Sequence, residues 1–107
     1  MTSHRIILTT AGSHREARKI ARALVELRLA ACVNIVPKVE SVYRWQGKVE
    51  TAQEWMLIIK TSQKRYKAVE KVIKQLHSYD LPECISIAVE TGSKEYLKWL
   101  GEQVGEG

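Results

Sequence analysis

Residues Leu29 to Thr61 hold two apolar-rich segments that meet at Trp45-Gln46-Gly47-Lys48, and this pattern predicts one long β-hairpin. The first limb carries Val33, Ile35, Val39 and Val42; the second carries Val49, Trp55, Leu57, Ile58 and Ile59. Gly47 supplies the positive φ that a tight hairpin turn needs, which puts the turn at Gln46-Gly47. A strand from Leu29 to Arg44 would extend roughly 50 Å at about 3.3 Å per residue. A compact chain of about 100 residues has a radius of gyration of only about 13 Å. The hairpin must therefore bend, project onto a neighbouring subunit, or do both. Pro37 marks the bend: it has no backbone donor, so a bulge or an edge position is expected there.

The remaining elements follow from periodicity. Arg5 to Ala11 reads as a short buried strand, with Ile6, Ile7 and Leu8 in a continuous run before β-branched Thr9 and Thr10. Ser13 followed by Glu16 is a capping box, so a helix starts there and runs to about Leu27 or Arg28, with Ala17, Ile20, Ala21, Leu24 and Val25 on its core face. After the hairpin, Ser62 is expected to cap a second helix with a stripe of Tyr66, Val69, Ile73 and Leu76, ending at His77. Ser78 to Glu83 is a loop, Cys84 to Val89 a buried strand, and a short helix with Tyr96, Leu97, Trp99 and Leu100 on its apolar side closes the chain.

This order is βαββαβ with an appended helix, an α+β class in which an antiparallel sheet carries both helices on one face, the ferredoxin-like arrangement. The 107 residues, 45% hydrophobic, suffice for one core and so for a single domain over residues 1–107. Helices on one face leave the other face open. Its apolar residues must meet something, and a neighbouring subunit is the simplest candidate, so an oligomer is expected.

Net charge is +5, which raises the question of an acidic partner. The cations cluster at Arg15, Arg18, Lys19 and Arg22 and again at Lys64, Arg65, Lys67, Lys71 and Lys74, the positions left over once two amphipathic helices have buried their stripes. A solvated helix face accounts for them, and no nucleic-acid partner is expected. No apolar run is long enough to span a bilayer, and Met1 to Ile7 lacks the apolar region of a signal peptide, so no membrane association is expected. Cys32 and Cys84 lie inside apolar segments, as reduced thiols in a cytoplasm would.

Fold alone does not decide among the functions that ferredoxin-like domains host. With no Phe and no matching strand, an RNA-recognition domain is excluded. Thr10 to His14 contains no Cys, which excludes a soft-metal chaperone loop, and lone Gly12 makes no phosphate-cradling loop. Cys32 as a nucleophile would need a base that nothing in the sequence places beside it, and a small apolar Cys between Ala31 and Val33 reads as packing.

Leu-Ala-Ala-Cys-Val-Asn at 29 to 34, Ser-Val-Tyr-Arg-Trp-Gln-Gly at 41 to 47, His-Ser-Tyr-Asp-Leu-Pro-Glu at 77 to 83 and Tyr-Leu-Lys-Trp-Leu at 96 to 100 together resemble the CutA divalent-cation tolerance family over nearly the whole chain. The resemblance implies a tight trimer in which the long hairpins pair between subunits, binding of divalent copper, a link to metal tolerance, and no enzymatic reaction. It also implies His77, Glu83 and Cys32 as metal residues. Ser78 stands where the family usually has Pro, and Thr9 where some members have a further Cys, so the resemblance does not extend to a thiolate-rich site. Imidazole and carboxylate suit divalent copper or zinc in an open, modest-affinity site. The residues by themselves also admit His77 as a helix cap, Glu83 as a surface carboxylate and Cys32 as core, and for Cys32 packing is the favoured reading. A second class of function is a trimeric regulator similar to nitrogen-regulatory PII proteins, with Arg44, Lys60 and Lys64 serving a phosphate at subunit clefts.

Overall fold

In the computed structural model, described here for residues 2–105, the first helix starts where its cap predicts. Ser13 Oγ accepts from the amide of Glu16 (3.1 Å), and α1 runs His14–Glu26 after strand β1, His4–Ala11. The carboxylate of Glu16 does not return to the cap but turns toward His77. The helix ends without glycine. Arg28 takes the left-handed conformation (φ 58°), its amide bonds the carbonyl of Val25, and that of Leu29 bonds the carbonyl of Leu24. This is a Schellman motif built on Arg28, and it turns Leu29 back onto the core. Ala17, Ile20, Ala21 and Leu24 are buried as the periodicity predicts. Val25 is not: at the margin of the stripe it is 42% exposed.

The hairpin is β2, Cys32–Trp45, and β3, Lys48–Ser62, joined by a two-residue turn. Both turn residues have positive φ, 50° at Gln46 and 81° at Gly47, as the right-handed twist of paired strands requires. The register slips between Val36 and Val39, so Pro37 and Lys38 form a bulge opposite Trp55, with Lys38 in the left-handed region (φ 58°). β2 is also an edge strand, so proline's missing donor leaves no partner unsatisfied. Beyond the bulge the hairpin continues as a two-stranded arm that is exposed from Val42 to Thr51, and the long dimension of the molecule is 45 Å.

β3 pairs with β1 over its other half, Ser62 lying opposite His4 and Trp55 opposite Ala11. The strand order is β2-β3-β1-β4, antiparallel throughout, with β4 at Ile85–Ala88. A one-turn 3₁₀ helix, Gln63–Arg65, leads into α2, Tyr66–Leu76. Ser62 does not cap it: the ladder to β1 runs through residue 62, and the Ser62 hydroxyl is buried without a partner. α1 and α2 cover one face of the sheet, where Ile7, Leu57, Ile59, Val69 and Ile73 are fully buried. α3, Lys94–Gln103, is capped by Ser93, whose Oγ accepts from the amide of Tyr96, and buries Leu100. Arg28 and Arg65 anchor it by donating to the carbonyls of Glu102 and Val104.

The expectation of a buried last strand fails in the single chain. Ile85 and Ile87 are 50% and 47% exposed because β4 is an edge strand whose apolar residues point away from the helices. They share that open face with Ile6 and Leu8, directly opposite them on β1, and with Met56 and Ile58 of β3 and Val36 of β2.

Candidate carboxylate groove and metal residues

Where the arm leaves the sheet, it forms one wall of a groove of about 790 Å³; the loop after α2 forms the other. Thr10, Tyr43, Trp45, Glu54, Tyr79 and Glu83 are among its lining residues. The loop is held by His77, the cap residue at the end of α2. His77 Nε2 lies 2.6 Å from the carbonyl oxygen of Thr10, and its Nδ1 accepts from the amide of Tyr79 at 3.1 Å. These bonds select the tautomer with the proton on Nε2. Glu16 Oε2 stands 3.5 Å from Nδ1, and the imidazole is 0% exposed. Tyr79 then folds over Gly12, where a Cβ would come within 3.0 Å of the phenol oxygen, and donates to Glu54 Oε2 at 2.8 Å. Burial, followed by the bond to Glu54, pushes the Tyr79 phenol up to about 12, so it stays protonated and remains the donor.

Glu54 is only 6% exposed. It sits on the open-face side of β3, opposite Val39, just past the bulge. Burial raises the carboxyl of Glu83 above the usual carboxylate range, and the charge of Glu54 raises it further. The two acids thus face one groove, and among the described residues its lining includes no Lys or Arg. Asp80 lines the same groove.

The sequence-derived metal residues do not converge in one chain. Glu83 is in the groove, but both nitrogens of His77 are already engaged, and a metal-bound imidazole needs one free lone pair. Cys32 opens β2 opposite Lys60, at the level of Ile6, whereas Thr10, which His77 bonds, is opposite Met56. That is a displacement of roughly 13 Å along the strands at about 3.3 Å per residue. Cys32 Sγ lies 3.9 Å from Asn34 Oδ1, which itself accepts from Lys60 Nζ at 2.6 Å. Among the described residues, no three His, Cys, Asp or Glu side chains come together in a way that could hold a metal ion. The set His77, Glu83 and Cys32 therefore does not fit a metal centre within a single subunit.

Glu54 and Tyr79 went unnoticed in the sequence. One signal was available for the first: strand alternation puts Glu54 on the same face as Met56 and Ile58, an acid in an otherwise apolar row. Tyr79 stands inside the motif at 77 to 83, but nothing local marks its bond to Glu54, which is 25 residues away in the chain.

His77→Ala tests the structural role directly. Removing the ring leaves the Thr10 carbonyl and the Tyr79 amide unpaired, and about 1–3 kcal/mol of stability should be lost in urea unfolding. An unchanged urea midpoint would mean that the imidazole is dispensable to the loop.

The chain matches the CutA1 divalent ion tolerance protein family over residues 5–103. It is 47% identical over 94% of its length to the divalent-cation tolerance protein CutA of Thermus thermophilus, of which it covers 97%. It is 44% identical over 84% of its length to the CutA homolog of Xenopus laevis, but spans only 60% of that longer protein. A solved structure described as the periplasmic divalent cation tolerance protein CutA of Archaeoglobus fulgidus superposes with a TM-score of 0.92 at 44% identity, covering 94% of this chain and 98% of that one. On this sequence match and this shared ferredoxin-like fold, the chain belongs to the CutA1 divalent ion tolerance protein family.

Proposed function

We propose that the protein is a homotrimer that binds divalent cations, copper among them, in the groove beside the arm, and that it serves metal tolerance by binding and not by catalysing a reaction. The observation that carries this reading is the pair Glu54 and Glu83, two carboxylates lining one groove, where desolvation and then the charge of Glu54 raise the proton affinity of Glu83. A cation held between the two carboxylates would relieve their repulsion. Two carboxylates are too few for a closed centre, so affinity should be modest, with further donors supplied by a neighbouring subunit. Divalent copper stands at the top of the affinity order for first-row divalent ions and should bind more tightly than zinc.

Trimer formation is supported by the open face, where Ile85 and Ile87 stand exposed beside Ile6 and Leu8. A binding role agrees with the state of the thiols. Cys32 has an amide oxygen for a neighbour rather than a base, and burial pushes the Cys84 thiol up, away from its nucleophilic form. Two free cysteines also go with a cytoplasmic location. The PII-like alternative gains no support from within one subunit, where its three cations stand apart. Lys60 is bonded to Asn34 on the open face, Lys64 lies on the 3₁₀ turn before α2, and Arg44 is at the arm tip, where it reaches the carbonyl of Gly47.

Isothermal calorimetry with copper and zinc tests the reading. Glu83→Gln and Glu54→Gln should each weaken copper binding about tenfold or more, while Cys32→Ala should leave it unchanged. Because the carboxylates must be ionised to bind, affinity should fall on acidification, starting at a higher pH than an ordinary carboxylate would give. Unaltered copper affinity in both glutamine variants would reject the groove. Loss of binding in Cys32→Ala would return the site to the thiol.

A further inference from the structure

We propose that the outer face of the helix layer is a binding surface for duplex nucleic acid, held through its phosphates without reading its sequence. α1 and α2 pack side by side on the sheet. Each points its buried stripe inward: Ala17, Ile20, Ala21 and Leu24 on α1, Val69 and Ile73 on α2. At 3.6 residues per turn, Arg15, Arg18, Lys19 and Arg22 project opposite the first stripe, and Lys67, Lys71 and Lys74 opposite the second, with Lys64 on the 3₁₀ turn that leads into α2. All eight are exposed. Two charge clusters that are far apart in the sequence, each of which reads as an ordinary solvated helix face, thus become one cationic surface.

Little on that surface neutralises it. Glu16 is turned inward to His77, Glu26 pairs with Arg22 at 3.7 Å, and Glu70 pairs with Lys74 at 4.0 Å. Among the described residues, Arg15, Arg18, Lys19, Lys64, Lys67 and Lys71 make no salt bridge. Residues 14 to 26 and 63 to 76 hold nine Lys and Arg against three Glu, which exceeds the +5 of the whole chain, so the remainder is slightly acidic. The positive charge is localised, not spread. His14, Arg15, Arg18, Lys19 and Arg22 converge on a shallow hollow of about 420 Å³.

Charge complementarity points to a polyanion. Packed helices lie about 8–10 Å apart, so two rows of long, flexible Lys and Arg side chains can reach the phosphates on both sides of a duplex groove, about 6 or 12 Å wide. A lipid surface is disfavoured because an interfacial helix must offer its apolar face to the bilayer, and both apolar faces here are already buried against the sheet. Single strands are disfavoured because bases need exposed aromatic platforms. The one Phe, Tyr or Trp on α1 and α2 is Tyr66, which is half-buried and bonded to Glu70.

Fluorescence anisotropy of a short labelled DNA duplex of arbitrary sequence, titrated with the full chain between about 50 and 200 mM salt, tests the proposal. Binding should weaken linearly in log–log form with salt, at about 0.9 per phosphate contacted. The triple variant Arg15→Glu, Arg18→Glu, Arg22→Glu should lose at least about tenfold in affinity. The matched double variant of α1, Arg15→Glu with Arg18→Glu, should still show a clear loss, whereas Lys94→Glu with Lys98→Glu, a reversal of two charges on α3, should not. If the triple variant unfolds, Arg18→Gln and Lys71→Gln separately should each lower the salt slope by about one. No binding at the lowest salt, an equal loss in the α3 variant, or unchanged slopes in the glutamine variants would overturn the proposal. Equal competition by anionic vesicles or polyglutamate would overturn it as well, because the surface would then select charge and not a duplex.

Discussion

Ile87→Glu is expected to turn a trimeric mass in light scattering into a monomeric one while the chain keeps its fold. In the single chain Ile87 is 47% exposed on an edge strand, so the substitution alone should cost no more than about 0.5 kcal/mol. In the proposed trimer the same position is covered. An unpaired carboxylate there costs several kcal/mol per ion after relaxation, and three of them would be buried at once. The contrast with Val25→Glu makes the test specific. Val25 is similarly exposed, at 42%, but lies at the margin of the α1 core stripe, away from the open face, and its substitution should leave the assembly intact. A stable trimer of the Ile87→Glu protein would show that the face shared by Ile6, Leu8, Ile85 and Ile87 is not where subunits meet.

The second large effect belongs to the centre of the sheet. Leu57 on β3 has no exposed surface and sits opposite Thr9 of β1 and Ile35 of β2, beneath the helices. Leu57→Ala removes buried methyl groups from a point where three strands meet, and the sheet cannot collapse to fill the space. A loss of about 2–5 kcal/mol is expected, a large share of the 5–15 kcal/mol that typically holds a domain folded. Urea unfolding should show a lower midpoint with an unchanged slope. Wild type and variant must be compared at equal subunit concentration, since an oligomer's apparent stability rises with concentration. A shift below about 1 kcal/mol would mean that the core repacks around the vacancy.

The order of elements was legible because each carried a local signature. Ser13 capped α1, Gly47 made the turn, and Pro37 marked the bulge. What escaped were properties that depend on where a ladder ends or what lies across it. Ser62 has the chemistry of a cap, but pairing with β1 runs through it and buries its hydroxyl. Ile85 and Ile87 have the composition of a buried strand, but they lie on an edge strand whose face no described element of the chain covers. His77 was recognisable as a helix end, whereas its partner Thr10 is 67 residues away in the chain, and only the fold reveals that both ring nitrogens are in use. The candidate site was half legible. Glu83 stood in a recognisable motif, but Glu54, whose charge adds to the desolvation that raises the proton affinity of Glu83, did not.

The bulge at Pro37 and Lys38 divides the hairpin into two regimes of stability. On the near side, β2 and β3 belong to a four-stranded sheet with a helix layer behind it. On the far side the arm is a ribbon of two strands, exposed from Val42 to Thr51. Such a ribbon is marginal in water by itself, so in a lone subunit its backbone bonds open far more often than those of the sheet. In the proposed trimer, assembly is the step at which the arm acquires its lasting form. Part of the binding energy between subunits would be spent on ordering it, and its amides would report association through the slowing of their exchange with solvent.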